Sequence, residues 1–125
     1  MGHVNNANHL AYIEIARLQY FEDVIKTEGG WSKEVGLILA RIEIDYKKPI
    51  FLHDHVFVYT RCSKIGTKSM HLDWVIVREK KDVEEILAKG IAVLVYFDYR
   101  NNQTIAVPEL HKEKFKAFEG NLADR

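Results

Sequence analysis

A polar run opens the chain: Met1-Gly2-His3-Val4-Asn5-Asn6 leads straight into Ala7-Asn8-His9-Leu10-Ala11-Tyr12-Ile13-Glu14-Ile15-Ala16-Arg17, a Gly/His/Asn loop feeding an amphipathic helix. The start of a helix leaves backbone N–H groups without intrahelical acceptors. One imidazole and two carboxamides beside those donors make a place suited to holding a carbonyl or a developing oxyanion. The same side chains, His3, Asn5 and Asn6, equally suit a capped loop with no chemical task, and their types alone leave both readings open. Glu14 is the carboxylate nearest this loop, two turns into the helix and within its apolar stripe. Arg17 follows at the spacing of an i,i+3 pair. A half-buried Glu14–Arg17 ion pair tying the helix to the sheet or to a partner subunit is the simpler reading, and a base that activates water is the other.

The remaining reactive side chains are weaker candidates. Cys62 is the single cysteine, which excludes an intrachain disulfide and a cysteine metal cluster. A lone strand cysteine is expected to be an inert core residue. His53-Asp54-His55 and His71 lack identifiable further ligands, so no metal or other cofactor is expected. The glycine-containing turn at Lys64-Ile65-Gly66-Thr67-Lys68 is not a Walker loop, and no dinucleotide fingerprint is present. Lys+Arg and Asp+Glu number 18 each, leaving no net field to attract nucleic acid or a membrane surface. No apolar stretch approaches the ~20 residues of a membrane span, and no signal peptide is visible, so a soluble cytoplasmic protein is expected.

The elements that must position these groups follow from periodicity. A length of 125 residues suits one domain with one core. Ala7 to about Thr27 predicts one helix, capped by Asn5 or Asn6 and stopped by Gly29-Gly30. Its apolar stripe is Leu10, Ile13, Ala16, Tyr20, Phe21, Val24 and Ile25, with Gln19, Glu22, Asp23 and Lys26 pointing away. Strands are expected over about Leu37 to Tyr46, His55 to Lys64, Ser69 to Glu79 and Ile86 to Tyr99, with a hairpin turn at 64–68. In the first, Ile38, Ala40, Ile42, Ile44 and Tyr46 alternate with Arg41, Glu43 and Asp45 as in a half-buried strand. Ile91 to Phe97 is apolar on both faces, as in a central strand covered twice. A short second helix begins at Val107-Pro108-Glu109, presents Leu110, Phe115 and Phe118, and stops at Gly120. One helix followed by an antiparallel sheet makes α+β the expected class.

Four of these strings together resemble a known family. They are G-H-V-N-N with the helix Y-x-E-x-A-R; Ala40-Arg41-Ile42-Glu43-Ile44-Asp45-Tyr46 with Pro49-Ile50; Ser63-Lys64-Ile65-Gly66-Thr67-Lys68-Ser69; and Ala92-Val93-Leu94-Val95-Tyr96-Phe97-Asp98. They resemble the hot-dog-fold acyl thioesterases of the 4-hydroxybenzoyl-CoA thioesterase-like group, in family order over nearly the whole chain. The resemblance implies a single hot-dog domain over 1–125, a long central helix wrapped by an antiparallel sheet. It implies cofactor-free hydrolysis of acyl-CoA or acyl-carrier-protein thioesters. It also implies homodimers or homotetramers with active sites at the subunit interface, so that one chain carries half a site.

In relatives the opening loop reads roughly D-x-M-G-H-V-N-N. The Asp, the usual nucleophile or base, would stand two residues before Met1, on the end of a first strand that this sequence does not contain. The expectation is a start placed late or a shortened chain, and the alternative a natural short form with reduced or no activity. His3 matches the His of the D-x-N-x-H pattern of plant acyl-carrier-protein thioesterases, with Met1 in place of the Asn, and Asn6 aligns with a His of many bacterial acyl-CoA thioesterases. The resemblance therefore implies His3 as a polarising or proton-transfer group and Asn6 as an oxyanion donor, while Glu14, by its position near the loop, is the candidate for a surrogate base in the absence of the Asp. Coenzyme A carries phosphates on a long arm, which fits Lys64, Gly66, Lys68 and Ser69 at the hairpin, while Asn5 is a substrate-binding candidate beside the reacting groups. Arg41, Tyr46 and Trp74 are candidates for an acyl pocket. A noncatalytic acyl-CoA-binding protein is the alternative function, and a dehydratase or hydratase on the same scaffold is disfavoured by G-H-V-N-N at the helix start.

Overall fold

Trp74 and Gly90 face each other on neighbouring strands, and the sheet is built around that pair. The computed structural model describes residues 6–25 and 35–120. The elements are α1 (Asn6–Val24), β1 (Val35–Tyr46), β2 (His55–Ile65), β3 (Ser69–Lys80), β4 (Val83–Asp98), a short β5 (Gln103–Thr104) and α2 (Glu109–Glu119). All pairings are antiparallel, in the order β1-β4-β3-β2, with β5 folding back on the end of β4. The expected α+β arrangement is the observed one. The predicted helix stop at Gly29-Gly30 lies outside the described residues.

Strict alternation produces the core. Met70, Leu72, Trp74 and Ile76 of β3 and Ala88, Ala92, Leu94 and Tyr96 of β4 are buried on one face of the sheet. Against them α1 lays Ile13, Tyr20, Phe21 and Val24, continued by Ile25. Each large apolar side chain removed from water contributes about 1.5–3 kcal/mol. Gly90 is required by crowding: a Cβ there would stand 1.8 Å from the Glu43 carbonyl oxygen and 2.6 Å from the Trp74 indole.

The structure corrects three expected faces. In β1 a bulge between Leu39 and Arg41 inserts one residue, so the side-chain alternation reverses partway along the strand. Val35, Leu37, Ile42 and Ile44 therefore pack on the core, whereas Ile38 is exposed and Ala40 is taken up in the bulge. On α1 the buried line runs through His9, Ile13, Tyr20 and Val24, and both Leu10 and Glu14 are exposed. On α2, His111 and Phe115 are buried while Leu110 and Phe118 are exposed, because the imidazole turns inward to a partner.

That partner is Tyr96, whose hydroxyl lies 2.7 Å from His111 Nδ1. Tyr20 donates to Glu119 Oε2 at 2.5 Å, the Cys62 N–H donates to the same oxygen at 2.6 Å, and Lys114 Nζ donates to the Ile25 carbonyl at 2.5 Å. These bonds fasten α2 beside α1. Gly120 ends α2 at φ +80°, its N–H donating to the Lys116 carbonyl, as its position predicts. The outer face of β4, with Ile91, Val93, Val95 and Phe97 half-buried, is covered by no described element. α2 does not cover it, since it packs beside α1 and β2.

β1 and β2 lie at opposite edges of the sheet, so residues 47–54 must cross its end. Arg78 holds that crossing, donating to Asp54 at 2.9 Å and to Glu85 at 2.8 Å. Lys48 also donates to Glu85, and together Lys48 and Arg78 hold that carboxyl down at about 2. The crossing strap in turn fixes where β1 ends, at Tyr46.

Two outcomes follow. Gly90→Ala forces a methyl into the Glu43 backbone and the Trp74 ring, so a thermal melt should show a loss of at least about 1–3 kcal/mol; an unchanged melting temperature would contradict the packing described. Burial pushes the Cys62 thiol up to about 12. Ellman's reagent at pH 8 should therefore react with it much more slowly in the native protein than in denaturant, and equal rates would show an accessible thiol.

Candidate active site

Asn6 is the first residue of α1, so the backbone donors of the opening turn and the positive end of the helix dipole lie where the sequence places its polar cluster. His3 and Asn5 lie outside the described residues, as does the side chain of Asn6. One turn on from Asn6, His9 is 2 % exposed. Its ring meets Tyr46 edge-on, with centroids 5.0 Å apart and planes at 84°. Tyr46 is itself 42 % exposed, so it separates a buried imidazole from solvent.

Glu14 points away from this pair. Its side chain is 47 % exposed and ion-paired with Arg17. The expected pair forms, but on the outer side of the helix, because the burial line through His9 and Ile13 turns position 14 toward water. Beside it runs a cleft of about 620 Å³ between α1 and β2, lined by Tyr12, Ile15, Ala16, Phe51, Leu52 and Val58 among others. A larger cleft of about 890 Å³ lies along the outer side of the sheet and is edged by Glu43, Asp45, Asp73, Arg61 and Lys89. Ile44, Tyr59, Trp74, Val75 and Ile91 also line it, so its lining mixes apolar and charged groups, whereas the α1–β2 cleft adjoins the helix that begins at Asn6.

The hairpin between β2 and β3 is firmly made. Gly66 N–H donates to the Ser69 carbonyl at 2.7 Å, and a Cβ at Gly66 would press the Ser69 hydroxyl at 2.9 Å. The Thr67 and Lys68 carbonyls accept from Val107 and Tyr96 N–H, each at 2.9 Å. Lys68 Nζ stands 3.4 Å from the Thr104 hydroxyl. Lys64 is half-buried and paired in register with His71, whose pKa is lowered first by burial and then by Lys64. Lys64, Gly66, Lys68 and Ser69 thus stand together.

They do not stand with the opening turn of α1. The helix runs alongside β2 in the same direction: Tyr12 shares a cleft with Val56, and Tyr20 reaches Cys62. The hairpin follows Cys62, so it lies at the far end of α1 from Asn6, about 20 Å away at 1.5 Å per helical residue. The acyl-pocket candidates are also divided. Tyr46 lies at the His9 end of α1, Trp74 is sealed in the core, and Arg41 pairs with Glu43 at 2.6 Å on the outer face. His53 and His55 are exposed, and among the described residues no group of three His, Cys, Asp or Glu side chains converges as a metal site.

His9 is the residue the polar motif obscured. In sequence it sits among the Asn and His of the loop, yet its spacing of four from Ile13 and eleven from Tyr20 puts it on the buried line.

The profile of the thioesterase-like superfamily matches residues 1–115. A thioesterase from Thermus thermophilus, solved with coenzyme A and zinc, is 34 % identical and superposes with a TM-score of 0.81, over 98 % of this chain and 85 % of that one. The long-chain acyl-CoA thioesterase FadM of Escherichia coli K12 is 25 % identical over 114 residues, 91 % of this chain and 85 % of that protein. A Staphylococcus aureus protein, SAV2348, solved with CoA, is 13 % identical and shares the fold alone, with a TM-score of 0.82 over 100 % of this chain and 78 % of that one. A match over almost the whole chain, on an antiparallel sheet packed against a helix that begins at Asn6, leaves one assignment: the chain belongs to the thioesterase-like superfamily and is a hot-dog-fold thioester hydrolase.

Proposed function

We propose that this protein hydrolyses acyl-CoA thioesters in a site assembled from the opening turn of α1 of one copy and the 64–69 hairpin of another. The superfamily match over residues 1–115 carries the reaction class. The separation of the two candidate half-sites along α1 supports the sharing, because a single chain holds the oxyanion donors and the phosphate-binding cations at opposite ends. A homodimer is the smallest assembly that joins them, and β1 and β2, the edge strands among the described residues, offer pairing surfaces.

In this reading water attacks the thioester carbonyl, and Asn6 with the first N–H groups of α1 stabilises the oxyanion. His3 polarises the carbonyl, and Asn5 and Tyr46 contact the substrate. Lys64 and Lys68 take the CoA phosphates, with Gly66 N–H and the Ser69 hydroxyl shaping the turn. The exposed Glu14–Arg17 pair supports a structural role for Glu14, and the outward position of Arg41 supports leaving it outside the acyl pocket. The α1–β2 cleft has room for an extended aliphatic chain, and FadM is named for long-chain substrates. Use of acyl-CoA supports a cytoplasmic setting for this work. No described helix is long and apolar enough to cross a membrane.

Thiol release from short, long and aromatic acyl-CoAs tests the proposal. Turnover is expected, fastest on long chains, and Asn6→Ala should lower kcat by about 10²–10³ as for loss of one oxyanion donor. Changing both Lys64 and Lys68 to Ala should raise KM and leave kcat nearly unchanged. Saturable binding without thiol release on any substrate would contradict hydrolysis.

A further inference from the structure

We propose that the outer face of the sheet packs against the same face of a second copy, the two related by a two-fold axis that lies in the interface. Neither the reaction nor the edge pairing proposed above enters into this contact.

Strand register fixes which side chains stand on this face. On β4, Ile91, Val93, Val95 and Phe97 point outward and are half-buried, while Ala88, Ala92, Leu94 and Tyr96 point into the core. Val75 and Val77 lie beside this row on β3, and Tyr59 and Phe57 pair with them from β2. The apolar side chains thus form a band that runs obliquely across the sheet, from Phe57 and Val77 through Val75 and Ile91 to Val93, Val95 and Phe97. A strand apolar on both faces is the pattern of a strand covered on both, and α1 supplies only the inner cover. A contiguous exposed apolar surface marks an association site.

The charges on the flanks of the band favour a second copy as the cover. Across one row of the register, Glu43 on β1 is followed by Ile91, Asp73 and then Arg61 on β2. Asp45 stands beside Glu43, so one flank carries two carboxylates and the other a guanidinium. Their intrachain partners are Arg41 at 2.6 Å from Glu43, Lys47 at 2.8 Å from Asp45 and Asp73 at 3.4 Å from Arg61. These pairs are largely exposed and contribute little, so the charges are available to a facing surface. An in-plane two-fold axis along the band lays Glu43 and Asp45 of one copy over Arg61 of the other, and by symmetry does so twice. The cleft of about 890 Å³ on this face crosses all four strands from Glu43 and Asp45 to Tyr59 and Arg61, and the same axis exchanges its two ends.

The size also fits. Four strands at ~4.8 Å spacing span about 19 Å, and Lys89 to Phe97 of β4 spans about 26 Å at ~3.3 Å per residue. Each copy therefore covers about 500 Å², and the pair about 1,000 Å², which is the area a specific interface needs. Sheets packed face to face with their strands nearly aligned lie about 10 Å apart, with the facing side chains interdigitated.

The test is the mass of the full chain in solution, by sedimentation velocity at micromolar concentration. Val93→Glu puts a charge into the apolar band and should halve the mass of the assembly. Reversing one flank, by Glu43→Lys with Asp45→Lys or by Arg61→Glu, sets like charges opposite one another at two symmetric places. Each reversal should raise the dissociation constant at least about tenfold, because like-charge juxtaposition across an interface is costly. All three changes together exchange the signs of the two flanks and should restore the assembly. Circular dichroism melts identify variants that remain folded, and if Val93→Glu does not fold, the exposed charge variants decide. A monomeric unaltered protein would overturn the proposal. So would a folded Val93→Glu of unchanged mass, which leaves this face bare or given to a different protein. Flank reversals that do not weaken the assembly, or that weaken it without recovery in the combined variant, would overturn the two-fold placement and the proposal with it.

Discussion

Three strands come unusually close at Gly90, where the Glu43 carbonyl and the Trp74 indole occupy the space a side chain would need. Packing at crystal-like density leaves no slack at such a point. The indole lies against the neighbouring strand because position 90 has no Cβ, and the sheet presents Trp74, Ala92, Leu94 and Tyr96 as one continuous apolar wall. α1 has no comparable surface elsewhere to bury Ile13, Tyr20 and Val24. Its seat on that wall fixes both of its ends: the first turn beside Tyr46, and the last beside Cys62 and the hairpin. The distance between the two proposed half-sites is therefore a consequence of core packing, not a separate feature of the loops.

Polar groups finish what apolar burial begins. α2 is a short helix with only Phe115 and His111 fully inside, too little apolar area to hold it firmly. It is positioned by directed bonds to Tyr96, Tyr20, Cys62 and the Ile25 carbonyl, each satisfying a group that burial would otherwise leave costly. The same pattern appears at the sheet end, where Arg78 joins Asp54 and Glu85 and so fixes the strap that sets the position of Tyr46. Asp54 is pushed up by burial, but the Phe51 N–H and the guanidinium outweigh that and keep it ionised. Polar fasteners thus decide where the aromatic neighbour of His9 sits.

Strand and helix extents were legible because β-branched runs, the glycine turn at 66 and the Gly120 stop are local signals. What local pattern could not show was phase. One bulge residue at Ala40 reverses the alternation of β1, and bulges carry no reliable mark in a run such as Leu37-Ile38-Leu39-Ala40. Apolar residues of α1 also lie off its buried line, with Ile15 and Leu18 exposed at 66 % and 60 %, so hydropathy alone could not choose between Leu10 and His9 as the buried residue. Long-range partners decide that, Tyr46 for His9 and Tyr96 for His111, and neither pairing is visible from spacing. Motif resemblance gathered hairpin residues that stand together, Lys64, Gly66, Lys68 and Ser69, and with them Arg41, which pairs with Glu43 on the outer face of the sheet.

The proposed site completed between copies is tested directly by hybrid complementation. Asn6→Ala carries a damaged first turn and an intact hairpin; a variant with Lys64 and Lys68 both changed to Glu carries the reverse. Each alone should turn over acyl-CoA slowly. Mixed, unfolded and refolded together, they should form assemblies in which one site is wholly unaltered, and thiol release should rise well above the sum of the separate activities. A mixture no more active than that sum, with mixed assemblies shown to form by native mass spectrometry, would place both half-sites in one chain and contradict the shared site.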